Sequence, residues 1–145
     1  MSTRRWMGLL PIFLAGAVMM DAAAQQHAPV APDAKETAAQ KLSEKLDQGK
    51  KILILDVRDP KEYDAGHVSG AINIPIEDLS KRLAEMKVSK DTTIVTMSEH
   101  GGRSSRAALE LQKLGYKTSS FCRLDSWKKE GHRLEKTEEK APPTA

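Results

Sequence analysis

Cysteine is almost missing from this 145-residue chain: Cys122 is the only one, so no internal disulfide can form. Aromatic residues make up 4%, and no basic stretch is interleaved with them. The stacking surfaces on which proteins hold single-stranded nucleic acid are therefore absent. Neither sign of charge dominates, with 23 basic against 20 acidic residues and a formal net charge of +3. That balance is too mild to imply a nucleic-acid partner. No uncharged run reaches the roughly twenty residues that a bilayer span needs; the longest, Trp6 to Met20, stops at about fifteen.

What is present begins with that run. Arg4 and Arg5 precede it, and Asp21-Ala22-Ala23-Ala24 follows it. A positive start, a short apolar core and a small-residue ending describe a secretory signal peptide over residues 1–24, cleaved after Ala24. The expected location is periplasmic or secreted, with no stable membrane anchor after cleavage. The Pro/Ala/Gln-rich stretch after it reads as a disordered leader over 25–34, and "KTEEKAPPTA" gives a disordered tail over 137–145. One domain of ordinary size remains, residues 35–136.

Within it, "DAKETAAQKLSEKL" places Ala39, Leu42 and Leu46 at helical spacing, with Asp33 or Thr37 as candidate caps. "KKILILDVRD" and "DTTIVTM" are continuous apolar runs of strand length, as expected for strands buried on both faces. A short strand is expected near Ile72 to Ile74, then a helix carrying Leu79, Leu83 and Met86. "RSSRAALELQKLG" reads as a helix with Ala107, Ala108, Leu111 and Leu114 on one face and Gly115 as terminator. "YKTSSF" is a weaker strand, and "LDSWKKEG" a last short helix ended by Gly131. Alternating strands and helices with short links predict an α/β fold, a parallel sheet flanked by helices on both faces. In such sheets ligands bind where the strands end. Asp56, the loop opening at Ser98, and Cys122 all sit at strand ends and should share that edge.

The loop "SEHGGRS" combines glycines, a guanidinium and a helix start. Inward-facing amides of Gly101 and Gly102, the helix beginning near Ser104, and the donors of Arg103 make a cradle for an anion. The competing reading is a sharp turn whose Arg103 pairs with a carboxylate such as Asp56.

Three stretches resemble the signatures of rhodanese-like domains. "ILDVRDPKEYDAGHVSGAINIP" carries Asp56, Arg58, Glu62, Gly66, His67, Gly70, Ala71, Asn73, Ile74 and Pro75 of the pattern; "IVTMSEHGGRSSRAALELQKLGY" is similar to the active-site loop and its helix; "SWKKEGHRLE" is similar to the closing segment. The resemblance runs from about Lys35 to Lys136. It implies a rhodanese-like fold of the sulfurtransferase family, whose active members use a loop cysteine to carry sulfane sulfur as a persulfide. That cysteine lies five residues before the loop arginine, which here is the position of Ser98. The resemblance further implies an anion-binding loop formed by Glu99, His100, Gly101, Gly102, Arg103 and Ser104, supported by Asp56, Arg58 and His67.

Serine cannot take over the chemistry. A free thiol ionises near 8.5, a hydroxyl only near water's value of about 15.7, and oxygen cannot become a persulfide. The expected outcome is a degenerate thiosulfate sulfurtransferase whose ligand is a small sulfur-containing or other oxyanion, or a partner protein. Two departures leave alternatives open. Cys122 and Arg123 replace a pair of glycines usual after the last strand, so one reading reroutes sulfur transfer or carriage through Cys122 and the other takes Cys122 as a small buried hydrophobe. His100 as a base for Ser98 would make a hydrolase, although no orienting acid is evident. A phosphatase is a weaker idea still, since related phosphatases also rely on cysteine. No cofactor is expected, and no metal, because His67 stands apart from other ligands.

Overall fold

The computed structural model describes residues 28–137; the expected signal peptide over 1–24 and most of the expected tail lie outside that range. In chain order the elements are α1 (Ala39–Asp47), β1 (Leu53–Asp56), α2 (Pro60–Ala65), β2 (Ile72–Asn73), a 3-10 turn (Ile76–Asp78), α3 (Leu79–Glu85), β3 (Thr93–Ser98), α4 (Gly102–Lys113), β4 (Thr118–Arg123) and α5 (Leu124–Lys129). The strands form one parallel sheet in the order β2-β1-β3-β4. The α/β architecture expected from the alternating pattern is therefore present.

Alternation along each strand sends side chains to two separate cores. Ile54, Val95, Met97 and Cys122 face Ala39 and Leu42 of α1 and Leu124 and Trp127 of α5. Leu55 and Ile94 face Leu79 and Leu83 of α3 and Ala107 and Leu111 of α4. Helices thus cover both faces, and the central strands are mainly apolar because neither face meets water, with Thr96, Asp56 and Ser98 as buried polar residues. Leu42 and Leu111, both fully buried, each contribute about 1.5 to 3 kcal/mol of transfer free energy.

Two local readings change. Helix α1 starts at Ala39 after Ala38, with no side-chain cap. The Thr37 hydroxyl instead shares a hydrogen bond with Ser120 Oγ across 2.8 Å, and its backbone N–H donates to the carbonyl of Phe121 on β4. Helix α2 went unread because none of its six residues is buried, so it has no apolar stripe. Met86 lies just beyond α3 and is exposed. Gly115 and Gly131 end their helices with φ of 90° and 80°, as expected.

Residues 28–34, the described part of the expected leader, make contacts with the domain. Ala34 N–H closes a turn on the carbonyl of Ala31, and Ala31 N–H donates to Ser105 Oγ at 2.9 Å. Lys35 and Thr37 then pair with Phe121 at the outer edge of β4. Among the described residues no helix is long and apolar enough to cross a membrane, and no group of three or more His, Cys, Asp or Glu is placed to hold a metal.

Candidate functional site

Register brings the expected residues level. Asp56 pairs with Met97, Met97 with Cys122, and Ser98 with Arg123, so three strands end together and the loops leaving β1, β3 and β4 meet there.

The loop after β3 is shaped by two glycines. Gly101 caps α4 with φ 88°, in the left-handed region that favours glycine. A Cβ there would also lie 3.0 to 3.1 Å from Arg123, Phe121 and Val30. A Cβ at Gly102 would come within 2.1 Å of the carbonyl oxygen of Ala28, so the N-terminal strap can lie on this helix start only because the residue is glycine.

Ser98 is 1% exposed, and its Oγ accepts the backbone N–H of Ser104 at 3.0 Å while donating to Ser104 Oγ at 2.9 Å. Thr96 Oγ1 donates to the carbonyl of Ser104 at 2.7 Å. Two side chains of β3 thereby pin the first turn of α4. The amides of Gly102 and Arg103 open the helix and have no intrahelical acceptor, which leaves them as donors at its positive end.

The charges around the loop are compensated within the protein. Arg103, 5% exposed, forms a two-pronged pair with Glu62 of α2 at 2.7 and 2.9 Å. Of the two readings of the loop arginine, a carboxylate partner is present, and it is Glu62 rather than Asp56. The Arg103 hydrogen bond holds the Glu62 carboxyl below its usual range, outweighing burial. Burial works to lower the Arg103 pKa, but Glu62 outweighs it and the guanidinium is held more firmly charged. Glu62 also accepts the N–H of Asp59 at 3.1 Å, closing the start of α2.

Asp56 and Arg58 form a buried pair, with Arg58 Nη2 at 2.6 Å from the carboxylate. Arg58 also donates to the carbonyl of Gly66, while Asn73 donates to the carbonyls of Asp56 and Arg58. These residues brace the β1 to α2 connection, and Arg58 reaches the loop at Glu99, 3.9 Å away. Glu99 is further neutralised by Lys128. His100 is half exposed and turns to Asp125 at 3.2 Å, and Asp125 also receives Arg123 at 2.7 Å. Burial acts to raise the Asp125 pKa, but the hydrogen bonds from Arg123 and His100 outweigh it and hold the carboxyl at about 2. His67 stacks on Tyr63 at 3.7 Å and shares a hydrogen bond with its carbonyl, a packing role away from the loop.

Cys122 shares the strand-end edge but not the site. Its side chain is fully buried in the α1 and α5 core, and burial above all, with Glu36 and Glu130 adding to it, pushes the thiol up to about 12. Neither nearby guanidinium is free to favour its thiolate, because Arg103 is paired with Glu62 and Arg123 with Asp125.

The sequence family described as Rhodanese-like domain matches residues 38–129. A relative from Bacillus subtilis, the putative sulfur carrier protein YrkF, is 33% identical over 82 residues, covering 57% of this chain and 43% of the relative. The thiosulfate sulfurtransferase PspE of Escherichia coli is 37% identical over 62 residues, 43% of this chain and 60% of PspE. The chain therefore spans less than two thirds of either relative. Among solved structures, the Alr3790 protein from Anabaena sp. superposes with a TM-score of 0.66 at 31% identity, covering 70% of this chain and 82% of that one. A thiosulfate sulfurtransferase from Pseudomonas aeruginosa gives a TM-score of 0.66 at 25% identity over 71% of this chain and 20% of that one. With one family accounting for most of its length and the same parallel sheet in its structural neighbours, the chain belongs to the rhodanese-like domain family.

Proposed function

We propose that the chain is an exported rhodanese-like domain whose β3 to α4 loop binds a small oxyanion, or an anionic group of a partner protein, without turning thiosulfate over. In this reading Ser98 stands where active members place their nucleophilic cysteine. The observation that carries it is the hydrogen-bonding of Ser98 Oγ, which accepts from Ser104 N–H and donates to Ser104 Oγ inside a closed loop. The hydroxyl proton is directed to Ser104 Oγ, not to a base. No alkoxide forms at neutral pH, and oxygen cannot hold sulfane sulfur.

What the loop retains is donor capacity. The first amides of α4 and its helix end attract an anion; the helix-end term is about 0.3 to 1 kcal/mol, so affinity should be weak. Arg103 contributes shape rather than free charge, since Glu62 neutralises it. The relatives named as sulfur carrier and thiosulfate sulfurtransferase favour a sulfur oxyanion as the ligand class. Export is read from the pattern of Arg4, Arg5, the apolar run and Ala22 to Ala24. Sulfur carriage through Cys122, the other route, has no observation in its favour: the thiol is buried and protonated.

The test combines amide NMR during titration with thiosulfate or sulfite and an assay with thiosulfate and a thiol acceptor. Shifts at Gly102 and Arg103 without turnover are expected. Turnover by the unaltered chain would overturn the reading, as would an unchanged loop spectrum.

A further inference from the structure

A groove of about 560 Å³ runs along the outer edge of β4, away from the loop. Lys41 and Lys45 of α1 flank it on one side and Gln112 of α4 on the other, with Thr118, Ser119 and Ser120 of β4 between them. It exists because the N-terminal segment pairs with β4 at one position only. Phe121 sends its N–H to Lys35 and its carbonyl to Thr37, whereas Ala31 to Ala34 turn off toward Ser105. Backbone groups of successive strand residues face opposite neighbours. Ser119, two residues before Phe121, therefore points its N–H and carbonyl to the same outer side, where no described strand lies, although the residue itself is only 7% exposed. An edge open in this way is a template for an added strand.

Charge defines what fits. Four lysines and one acidic residue, Glu36, line the groove. Lys117 pairs with Asp91 at an exposed site, while Lys35, Lys41 and Lys45 form no ion pair with a described residue. Half-buried Ile52 supplies an apolar floor between these cations, with Leu42 and Val95 buried beneath it. Uncompensated lysines on one wall, an apolar floor and open strand hydrogen bonds match an extended chain that alternates acidic and apolar side chains.

We propose that this groove docks an extended acidic segment of a partner protein, which pairs with Ser119 and sets carboxylates beside Lys41 and Lys45. The interaction needs no chemistry at Ser98 and stands independently of the loop.

The experiment titrates the isotopically labelled full chain with a decapeptide of alternating Glu and Val, and in parallel with one of alternating Lys and Val. Expected are amide shifts at Thr118 and Ser119 with the acidic peptide alone, abolished by N-methylation of the peptide backbone. The paired substitution Lys41→Glu and Lys45→Glu, both on the helix surface, should weaken binding about fivefold or more. The proposal is overturned by no shift at Ser119 up to millimolar peptide, by equal binding of the Lys peptide, or by shifts confined to residues 98–104. Slow hydrogen exchange at Ser119 before any peptide is added would overturn it in favour of the chain's own termini, and concentration-dependent dimerisation in favour of a second copy.

Discussion

Cys122 should be chemically silent in the folded protein, and the expected size of the effect follows from its surroundings. Its thiol is pushed from an ordinary value of 9.0 to about 12, chiefly by burial. At pH 8 the reactive thiolate is then roughly a thousandfold scarcer than in the unfolded chain, since three pH units correspond to three powers of ten. Complete burial of the side chain adds a barrier to access. The assay is reaction with a chromogenic disulfide at pH 8, native and in denaturant, where unfolding restores ordinary reactivity. A native rate at least about a thousandfold slower is expected. The same shift fixes a pH dependence: the folded state keeps its proton where the unfolded thiol loses it, so this contribution favours folding below pH 9 and is lost as pH rises from 9 toward 12. Stability of the unaltered chain should fall more steeply across that window than that of Cys122→Ala. A native rate within tenfold of the unfolded one would refute the reasoning and reopen sulfur carriage through this residue.

Other outcomes follow from the charged and close-packed contacts. Glu62→Gln leaves Arg103 buried without a full counter-charge and should cost about 1 to 3 kcal/mol in denaturant unfolding; no measurable loss would show the pair to be dispensable. Glu62 and Asp125 both have lowered carboxyl pKa values, so their contributions are complete above the ordinary carboxylate range and disappear as pH falls below 4.5 for Glu62 and from 3.8 toward about 2 for Asp125. An acid titration of stability should accordingly be shallower below pH 4.5 in Glu62→Gln than in the unaltered chain. Gly102→Ala places a methyl group against the Ala28 carbonyl and should release the strap, seen as faster hydrogen exchange at the Ala31 amide. Better helix propensity offsets that loss by up to about 1 kcal/mol, so global stability should change little. Export predicts a mature chain beginning at Gln25, to be checked by intact mass of the protein from the periplasm or medium.

How much of this was legible in the sequence depended on how local the cause was. The runs around Ile54 and Val95 read directly as buried strands because β-branched and apolar residues fill both faces. The helix of Ala107 and Leu111 read from its 3.6 spacing and the glycine after it. Helix α2 had no periodic stripe, yet Asp59, Pro60 and Glu62 held a start signal, a proline at the first turn with an acid reaching back to the cap. The pairing of Arg103 with Glu62 spans 41 residues, and no spacing rule links them. Likewise, the strap on Gly101 and Gly102 depends on how the chain folds back. Cys122 was placed at the right edge but not on the right face. That distinction needs strand register, which sets Cys122 opposite Met97 in the core and Arg123 opposite Ser98 at the loop.

In the proposed function the loop keeps the frame of rhodanese-like domains while Ser98 takes the place of the reactive sulfur. The direct measurement is the sulfur content of the protein after thiosulfate, read by mass spectrometry on the unaltered chain and on Ser98→Cys. In the variant a thiolate would attack the sulfane sulfur, break its bond to the sulfite group and release sulfite, adding one sulfur atom at residue 98. That adduct is expected in Ser98→Cys and none in the unaltered chain; sulfur on the unaltered chain at any residue, or no adduct in a folded Ser98→Cys, would contradict the proposed function.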